Sequence, residues 1–169
     1  MKLLALPAAL ALAALALAST PVTASGAAAS APAQCSDSML KASYKATDAA
    51  TGHFYGKIIL KNISSKACKT GGYGGISYVG DENGTQIGAP ADRTPGTEKT
   101  ITLQPGDKVK SKITEVDAGV FSASLCKPTP VDGFRIYVPN ATKSQYVPHP
   151  TTGCKNSAVH LISQKPYTS

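Results

Sequence analysis

Two short segments of the 169-residue chain match motifs of penicillin-recognising acyl-transfer enzymes. Ser38-Met39-Leu40-Lys41 has the Ser-x-x-Lys spacing, and Lys69-Thr70-Gly71 matches the Lys-Thr-Gly element. In those enzymes the serine begins a helix and the lysine follows one turn later. Here the first segment has the alternation of a strand, in which Ser38 and Lys41 face opposite sides. Because the Ser-Asp-Asn element is also missing, we interpret both matches as coincidence.

The other residues that often perform chemistry are equally isolated. Ser77 lies in Gly-Ile-Ser-Tyr-Val-Gly, residues 75–80, which is one residue out of register with a Gly-x-Ser-x-Gly nucleophile motif and precedes no helix. His53, His149 and His160 are far apart, and none belongs to a His-x-x-x-His pair. The ten carboxylates are dispersed. We therefore predict no catalytic residue, no cofactor and no metal site, and a protein that is not an enzyme.

The four cysteines carry the strongest signal in the sequence. An even number of cysteines without metal-type spacing favours disulfides, which form outside the reducing cytosol. Four cysteines permit three pairings, and the sequence leaves all three open. We favour the sequential pairing, in which each bond closes a loop of about 30 residues and stabilises the fold by about 3.5 kcal/mol. The residues concerned are Cys35 with Cys68 and Cys126 with Cys154.

The beginning of the chain has the pattern of a signal peptide. Lys2 precedes an apolar run, residues 3–18, which is shorter than the roughly 20 residues of a membrane-spanning helix. We predict a signal peptide over residues 1–24, with cleavage after Ala18 as the alternative to cleavage after Ala24. Residues 25–34 contain only small and polar side chains and predict a flexible linker. We expect a single domain over residues 35–169, secreted to the extracellular space or periplasm, with no membrane span after cleavage.

Short alternating segments separated by turn residues dominate the rest of the chain. Asn83-Gly84 predicts a hairpin turn, and Gln104-Pro105-Gly106 predicts a second tight turn. Seven or eight such segments without an amphipathic helix predict an all-β fold, namely a single antiparallel immunoglobulin-like β-sandwich with two disulfides. The predicted strands lie near residues 40–46, 53–62, 75–79, 85–87, 98–103, 107–116, 134–138 and 157–163.

The chain is basic, and nearly all of its positive charge is lysine. Loss of Lys2 with the leader lowers the formal net charge from +7 to +6, and Arg93 and Arg135 are the only arginines. The lysines are scattered singly along the sequence, without the interleaved aromatic residues that nucleic-acid binding requires. We interpret them as residues that keep a secreted β domain soluble, with weak, non-specific attraction to an anionic cell surface or glycan as the alternative.

Several segments follow one another in a familiar order between Cys35 and the end of the chain. They are residues 59–62 (ILKN), 72–77 (GYGGIS), 87–91 (IGAPA), 103–106 (LQPG), 116–119 (VDAG), 126–128 (CKP), 133–139 (GFRIYVP) and 154–156 (CKN). This order resembles the secreted bacterial family called domain of unknown function 4232, over about residues 35–165. The resemblance implies an extracytoplasmic β-sandwich with two disulfides and brings no catalytic residues to this chain.

Recognition residues are predicted in two segments that combine an aromatic side chain with an unusual backbone. Tyr73 lies among four glycines, and Tyr146 and His149 flank prolines. We therefore predict a non-catalytic exported domain that binds an unknown protein or glycan at the cell envelope or outside the cell, with no specific nucleic acid as partner. We expect a monomer. The alternative is a small secreted inhibitor of an extracellular hydrolase.

Overall fold

The computed structural model describes residues 30–169, so the predicted signal peptide lies outside the described residues. Strands dominate this range, which also contains one short α-helix, α1, at Ala123–Cys126 and a 3-10 turn at Ala118–Val120. Within it, no helix combines the length and the apolar character that crossing a membrane requires. The strands are β1 (Leu40–Ala50), β2 (His53–Asn62), β3 (Cys68–Gly71), β4 (Gly75–Gly80), β5 (Thr85–Ile87), β6 (Asp92–Arg93), β7 (Thr100–Leu103), β8 (Lys108–Val116), β9 (Pro128–Tyr137), β10 (Ser144–Cys154) and β11 (Ile162–Gln164).

The strands form three sheets. The first sheet has five strands in the order β1-β2-β8-β11-β6, the second has four in the order β10-β9-β4-β5, and the third pairs β3 with β7. The predicted all-β class is confirmed, but the structure does not show the predicted single immunoglobulin-like sandwich, because the strands form three separate sheets. The prediction of seven or eight antiparallel strands is wrong, because residues 30–169 contain eleven strands and β11 pairs with β6 in parallel. Among the additional strands, β3 and β6 have four and two residues, which is too short for alternation to be recognised.

The longest strand that the sequence pattern does not predict is β10. Its prolines, Pro148 and Pro150, favour a loop in a sequence-based prediction, because proline cannot donate a hydrogen bond to a neighbouring strand. The structure accommodates them because β10 lies at the edge of the second sheet, where one side of the strand needs no partner. Its register with β9 is also interrupted between Pro148 and Thr151. The predicted recognition residues Tyr146 and His149 therefore lie on a strand and not in a loop.

The two larger sheets share one hydrophobic core. In β2, Ile58 and Leu60 point inward and are fully buried, as alternation along a strand requires. From the second sheet, Phe134 and Ile136 of β9 are also fully buried. Each such side chain contributes about 1.5–3 kcal/mol when it leaves water. This core fixes how the two sheets face each other.

Two disulfides fasten segments that precede or follow the main strands. Cys35, just before β1, is bonded to Cys68 at the start of β3, and Cys126 at the end of α1 is bonded to Cys154 at the end of β10. This is the sequential pairing. Near the first bond, the backbone N–H of Lys69 donates to the carbonyl of Ala33 at 2.8 Å, so the chain before Cys35 also pairs with β3.

Lysines that are scattered in the sequence come together on the outer face of the first sheet. Strands β1, β2 and β8 are neighbours, and each places its lysines at alternate positions, opposite the core. Because the registers align these positions, seven of the fourteen lysines after Lys2 share one face. We call this set the lysine lattice: Lys41, Lys45, Lys57, Lys61, Lys108, Lys110 and Lys112. The interpretation of the lysines as singly dispersed holds for the sequence but not for the folded surface.

Candidate functional site

Two of the predicted recognition residues, Tyr73 and Tyr146, lie on separate surfaces. The hydroxyl of Tyr73 donates to the carbonyl of Thr94 at 2.6 Å, which ties the loop between β3 and β4 to a neighbouring segment. Tyr146 is 58% exposed on β10, and its hydroxyl donates to the carbonyl of Asp132 at 2.9 Å. The ring of Tyr146 covers Gly133, where a Cβ would lie 2.8 Å from the ring. Both tyrosines are thus held by backbone contacts.

The third predicted residue, His149, belongs to a polar cluster between the two larger sheets. Its Nε2 lies 2.9 Å from Oε2 of Glu115, and because a carboxylate only accepts, the ring proton belongs on Nε2. Phe134 stacks on the imidazole with a centroid distance of 4.5 Å and an interplanar angle of 6°. Tyr44 meets the same ring edge-on at 4.5 Å. The imidazole therefore has a fixed orientation.

Glu115 is the centre of this cluster and the only charged residue that is buried in residues 30–169. The hydroxyl of Tyr78 donates to Oε2, and the hydroxyl of Tyr44 donates to Oε1 at 3.2 Å. Glu115 and Tyr44 come from the first sheet, whereas Tyr78 and His149 come from the second. Three donors thus surround one carboxylate, as a buried charge requires. We call Tyr44, Tyr78, Glu115 and His149 the Glu115 cluster.

The two phenols of the cluster stay protonated over the whole physiological range. Burial, followed by the negative charge of Glu115 and the hydrogen bond to it, raises the pKa of Tyr44 to about 12. Burial, followed by the same charge, raises the pKa of Tyr78 well above its ordinary value. Both hydroxyls therefore act as hydrogen-bond donors to Glu115 and not as nucleophiles or bases.

A groove opens beside the exposed side of His149, between the edge strands β1 and β10. Its volume is about 570 Å³, and its walls include Tyr44, Phe54, Tyr55 and Pro150. Phe54 and Tyr55 are 42% and 37% exposed, which is high for aromatic residues at the end of a strand pair. The groove thus combines an apolar wall with one oriented imidazole, the combination found in many binding sites.

A family model called domain of unknown function 4232 matches residues 35–166. The chain belongs to this family. The match confirms the resemblance drawn from the sequence, and it includes all four cysteines and the whole Glu115 cluster. No curated protein and no solved structure matches the chain. Because the description of the family names no activity, the role of this domain has to be argued from its own residues.

The remaining candidates in this DUF4232 domain stay apart from one another. Ser77 is buried on β4, and Nδ1 of His160 lies 2.8 Å from Oδ1 of Asp92 on the surface. Nδ1 of His53 faces the carbonyl of Thr51 at 3.2 Å. Within residues 30–169, no three histidine, cysteine, aspartate or glutamate side chains are placed to hold a metal ion.

Sequence reasoning missed Tyr44, Tyr78 and Glu115 as members of one site. For Glu115 a signal exists: in β8 the buried positions are Val109, Ser111, Ile113 and then Glu115, so a carboxylate occupies a core-facing position of an alternating strand. A charge at such a position implies a buried partner. The partners themselves carry no signal, because they come from strands that are distant in the sequence.

Proposed function

We propose that this domain is an exported, non-catalytic binding domain that acts at the cell envelope or outside the cell. Its two disulfides support an oxidising environment. We further propose that the recognition surface lies at the end of the fold where the hairpin between β1 and β2 meets the groove beside His149. The N–H of Asp117 donates to the carbonyl of Gly52 at 2.9 Å, which ties the hairpin to the segment after β8 and restricts the conformational entropy that binding would cost.

The observation that carries this proposal is a group of exposed apolar side chains at that end. Phe54, Tyr55 and Val120, which we call the apolar rim, are 42%, 37% and 55% exposed. Val120 lies against the hairpin, since a Cβ at Gly52 would lie 2.9 Å from Val120 Cγ1. Phe54 and Tyr55 line the groove together with His149. Exposed apolar residues next to an oriented polar group are typical of surfaces that bind another molecule.

The chemistry of the Glu115 cluster supports a role other than catalysis. The carboxylate already accepts from two phenols and one imidazole, and the phenols are held protonated. In residues 30–169 no serine or cysteine side chain is hydrogen-bonded to His149, so the imidazole has no nucleophile to activate. We therefore assign the cluster to orienting His149 and joining the two sheets.

Site-specific photo-crosslinking tests the proposed surface. A photoreactive residue replaces Phe54 in the exported protein, and a matched protein carries it at Leu125 on α1, which is 47% exposed. We expect one defined species from the cell-envelope fraction to crosslink to the protein with the photoreactive residue at position 54 but not to the protein with it at position 125. The crosslinking yield at position 54 should fall when Tyr55→Ser is added. Equal crosslinking at both positions, or none at Phe54, contradicts the proposal.

The same captured species tests the class of function. If the captured species is a hydrolase whose activity falls on binding, the domain is a hydrolase inhibitor, which is a specific form of the proposed binding role. If the protein alone releases products from envelope polymers, and a His149→Gln variant does not, the non-catalytic assignment is wrong.

A further inference from the structure

The lysine lattice is a three-by-three array on the outer face of the first sheet. One row across the strands contains Lys41, Lys61 and Lys108, and a second contains Lys45, Lys57 and Lys112. The row between them consists of Ser43, Ile59 and Lys110. Neighbouring strands are about 4.8 Å apart and alternate residues about 6.7 Å apart, so the backbone of the array covers roughly 10 by 13 Å. Seven positive charges share this small area.

Folding alone does not account for this arrangement. Four lysine pairs lie directly opposite each other in the register, and each like-charged pair of this kind is destabilising. In residues 30–169 no lysine ammonium lies within 4.0 Å of a carboxylate. Protection of sheet edges is not the reason either, because β2 and β8 are interior strands and hold five of the seven lysines.

The second sheet shows that strands of this fold form without clustered lysines on their outer face. Strands β4, β5, β9 and β10 contain no lysine and one arginine, Arg135, whose guanidinium donates to Gln86. Half of the lysines after Lys2 thus share one face of the first sheet, and none lies in a strand of the second sheet. General solubility calls for dispersed charges of both signs, whereas a field of one sign attracts a partner of the opposite sign.

A shallow cavity of about 600 Å³ continues the lattice at its Lys57–Lys112 side. Lys165 and the hydroxyl-bearing residues Thr114 and Ser163 also line it. One carboxylate, Asp48, lies at its margin, where its Oδ1 accepts from the N–H of Ala49 at 2.8 Å. Ammonium and hydroxyl groups together are the donors that phosphate oxygens accept from.

We propose that the lysine lattice and this cavity bind a flexible, linear polymer of phosphodiester groups. The cations are all lysines, which bind phosphate as point charges and do not impose the bidentate geometry that arginine gives to carboxylate and phosphate alike. The lattice contains no aromatic side chain, and the cavity offers one, Tyr55, whereas stacking of successive bases needs several. A sheet twists by about 20–25° per strand, so a flexible chain follows the lysines better than a flat bilayer does. This surface meets the apolar rim at Tyr55, which lines the cavity.

Binding to synthetic poly(glycerol phosphate) of defined length tests this proposal, with the exported protein as the sample. If all seven lysines contact phosphates, the slope of log K against log salt concentration is about −5, and affinity falls about 1,000-fold between 50 and 200 mM salt. We expect Lys45→Gln/Lys57→Gln/Lys112→Gln to weaken binding at least about tenfold and to reduce the slope by about 2.

The matched control removes three lysines elsewhere. Lys127→Gln/Lys143→Gln/Lys155→Gln changes exposed lysines outside the lattice and lowers the net charge by the same amount. We expect this control to bind within about threefold of the unchanged protein. An equal loss in both triple variants overturns the proposal, because attraction then follows net charge alone.

Competitor ligands test the chemistry of the partner. Single-stranded poly(dT), vesicles of phosphatidylglycerol and polygalacturonate present bases, a flat anionic surface and carboxylates, respectively. We expect each to bind more weakly than poly(glycerol phosphate) at equal salt and charge concentration. Tighter binding to any of them assigns the lattice to that class of partner and overturns the phosphodiester proposal. Equal cooperative unfolding of all variants confirms that the lattice variants fold.

Discussion

Replacing Glu115 with glutamine removes one charge from the core and keeps the shape of the side chain. The carboxylate accepts hydrogen bonds from Tyr44, Tyr78 and His149. A hydrogen bond to a charged group contributes about 1.5–3 kcal/mol and a neutral one about 0.5–1.5 kcal/mol, so each contact that the amide oxygen keeps loses about 1 kcal/mol, while the phenol that faces the new NH2 group has to accept instead of donate. The neutral amide is easier to bury, which offsets part of the loss. We expect the free energy of unfolding to fall by about 1–3 kcal/mol.

Denaturant unfolding at pH 7, with both disulfides intact, measures this change. The control is Glu82→Gln, which alters an exposed carboxylate in the turn after β4 and should change the unfolding free energy by less than about 0.5 kcal/mol. An unchanged denaturant slope in both variants shows that the same surface is exposed on unfolding. The Glu115→Gln midpoint should shift to lower denaturant concentration.

The result that refutes the reasoning is a Glu115→Gln variant as stable as the unchanged protein, or more stable. Replacing a buried charge sometimes stabilises a protein, because the cost of removing the charge from water exceeds its hydrogen-bond energy. In that case Glu115 does not join the sheets. The assignment of a structural role to the cluster would then fail, and His149 would have to be tested as a reactive group.

Three further predictions concern tyrosines. Gly56→Ala should destabilise the fold by about 1–2 kcal/mol, because the new Cβ would lie 2.3 Å from the ring of Tyr44, and the loss should disappear in a Tyr44→Ala background. Tyr167→Phe should raise the unfolding free energy by about 1 kcal/mol, since this hydroxyl is buried without a partner in residues 30–169; a loss in denaturant unfolding would contradict this. Burial raises the pKa of Tyr44 to about 12, and that of Tyr78 is also raised, so the folded state holds both protons more tightly than the unfolded chain, whose tyrosines titrate near pH 10. The contribution of the two phenols to the free energy of unfolding should be fully present below about pH 10 and should fall as the pH rises towards 12. A Tyr78→Phe variant should show a smaller fall in unfolding free energy over this interval. An unfolding free energy that stays constant from about pH 9 to 12 would contradict this direction.

Local patterns in the sequence were sufficient to predict the all-β class. Alternation in residues 53–62 predicts β2 with the bounds that the structure has, and Asn83-Gly84 predicts the turn between β4 and β5. Both signals are local, because a strand's buried face and a hairpin's turn are encoded within a few residues. The local pattern does not predict β10, because a central strand does not tolerate a proline such as Pro148. No neighbouring residue indicates that this strand lies at the edge of its sheet.

The Glu115 cluster and the lysine lattice could not be predicted, because both depend on which strands become neighbours. Strand β8 begins 46 residues after the end of β2, yet the two pair over nine residues. Along β8, one set of alternate residues carries Lys108, Lys110 and Lys112, and the other carries the core residues and Glu115. A shift of one residue in its register would bury three lysines and expose Glu115, a cost of many kcal/mol. The same register therefore fixes the positive outer face and the buried carboxylate together, so a change that loosens β8 should weaken both polyanion binding and the orientation of His149.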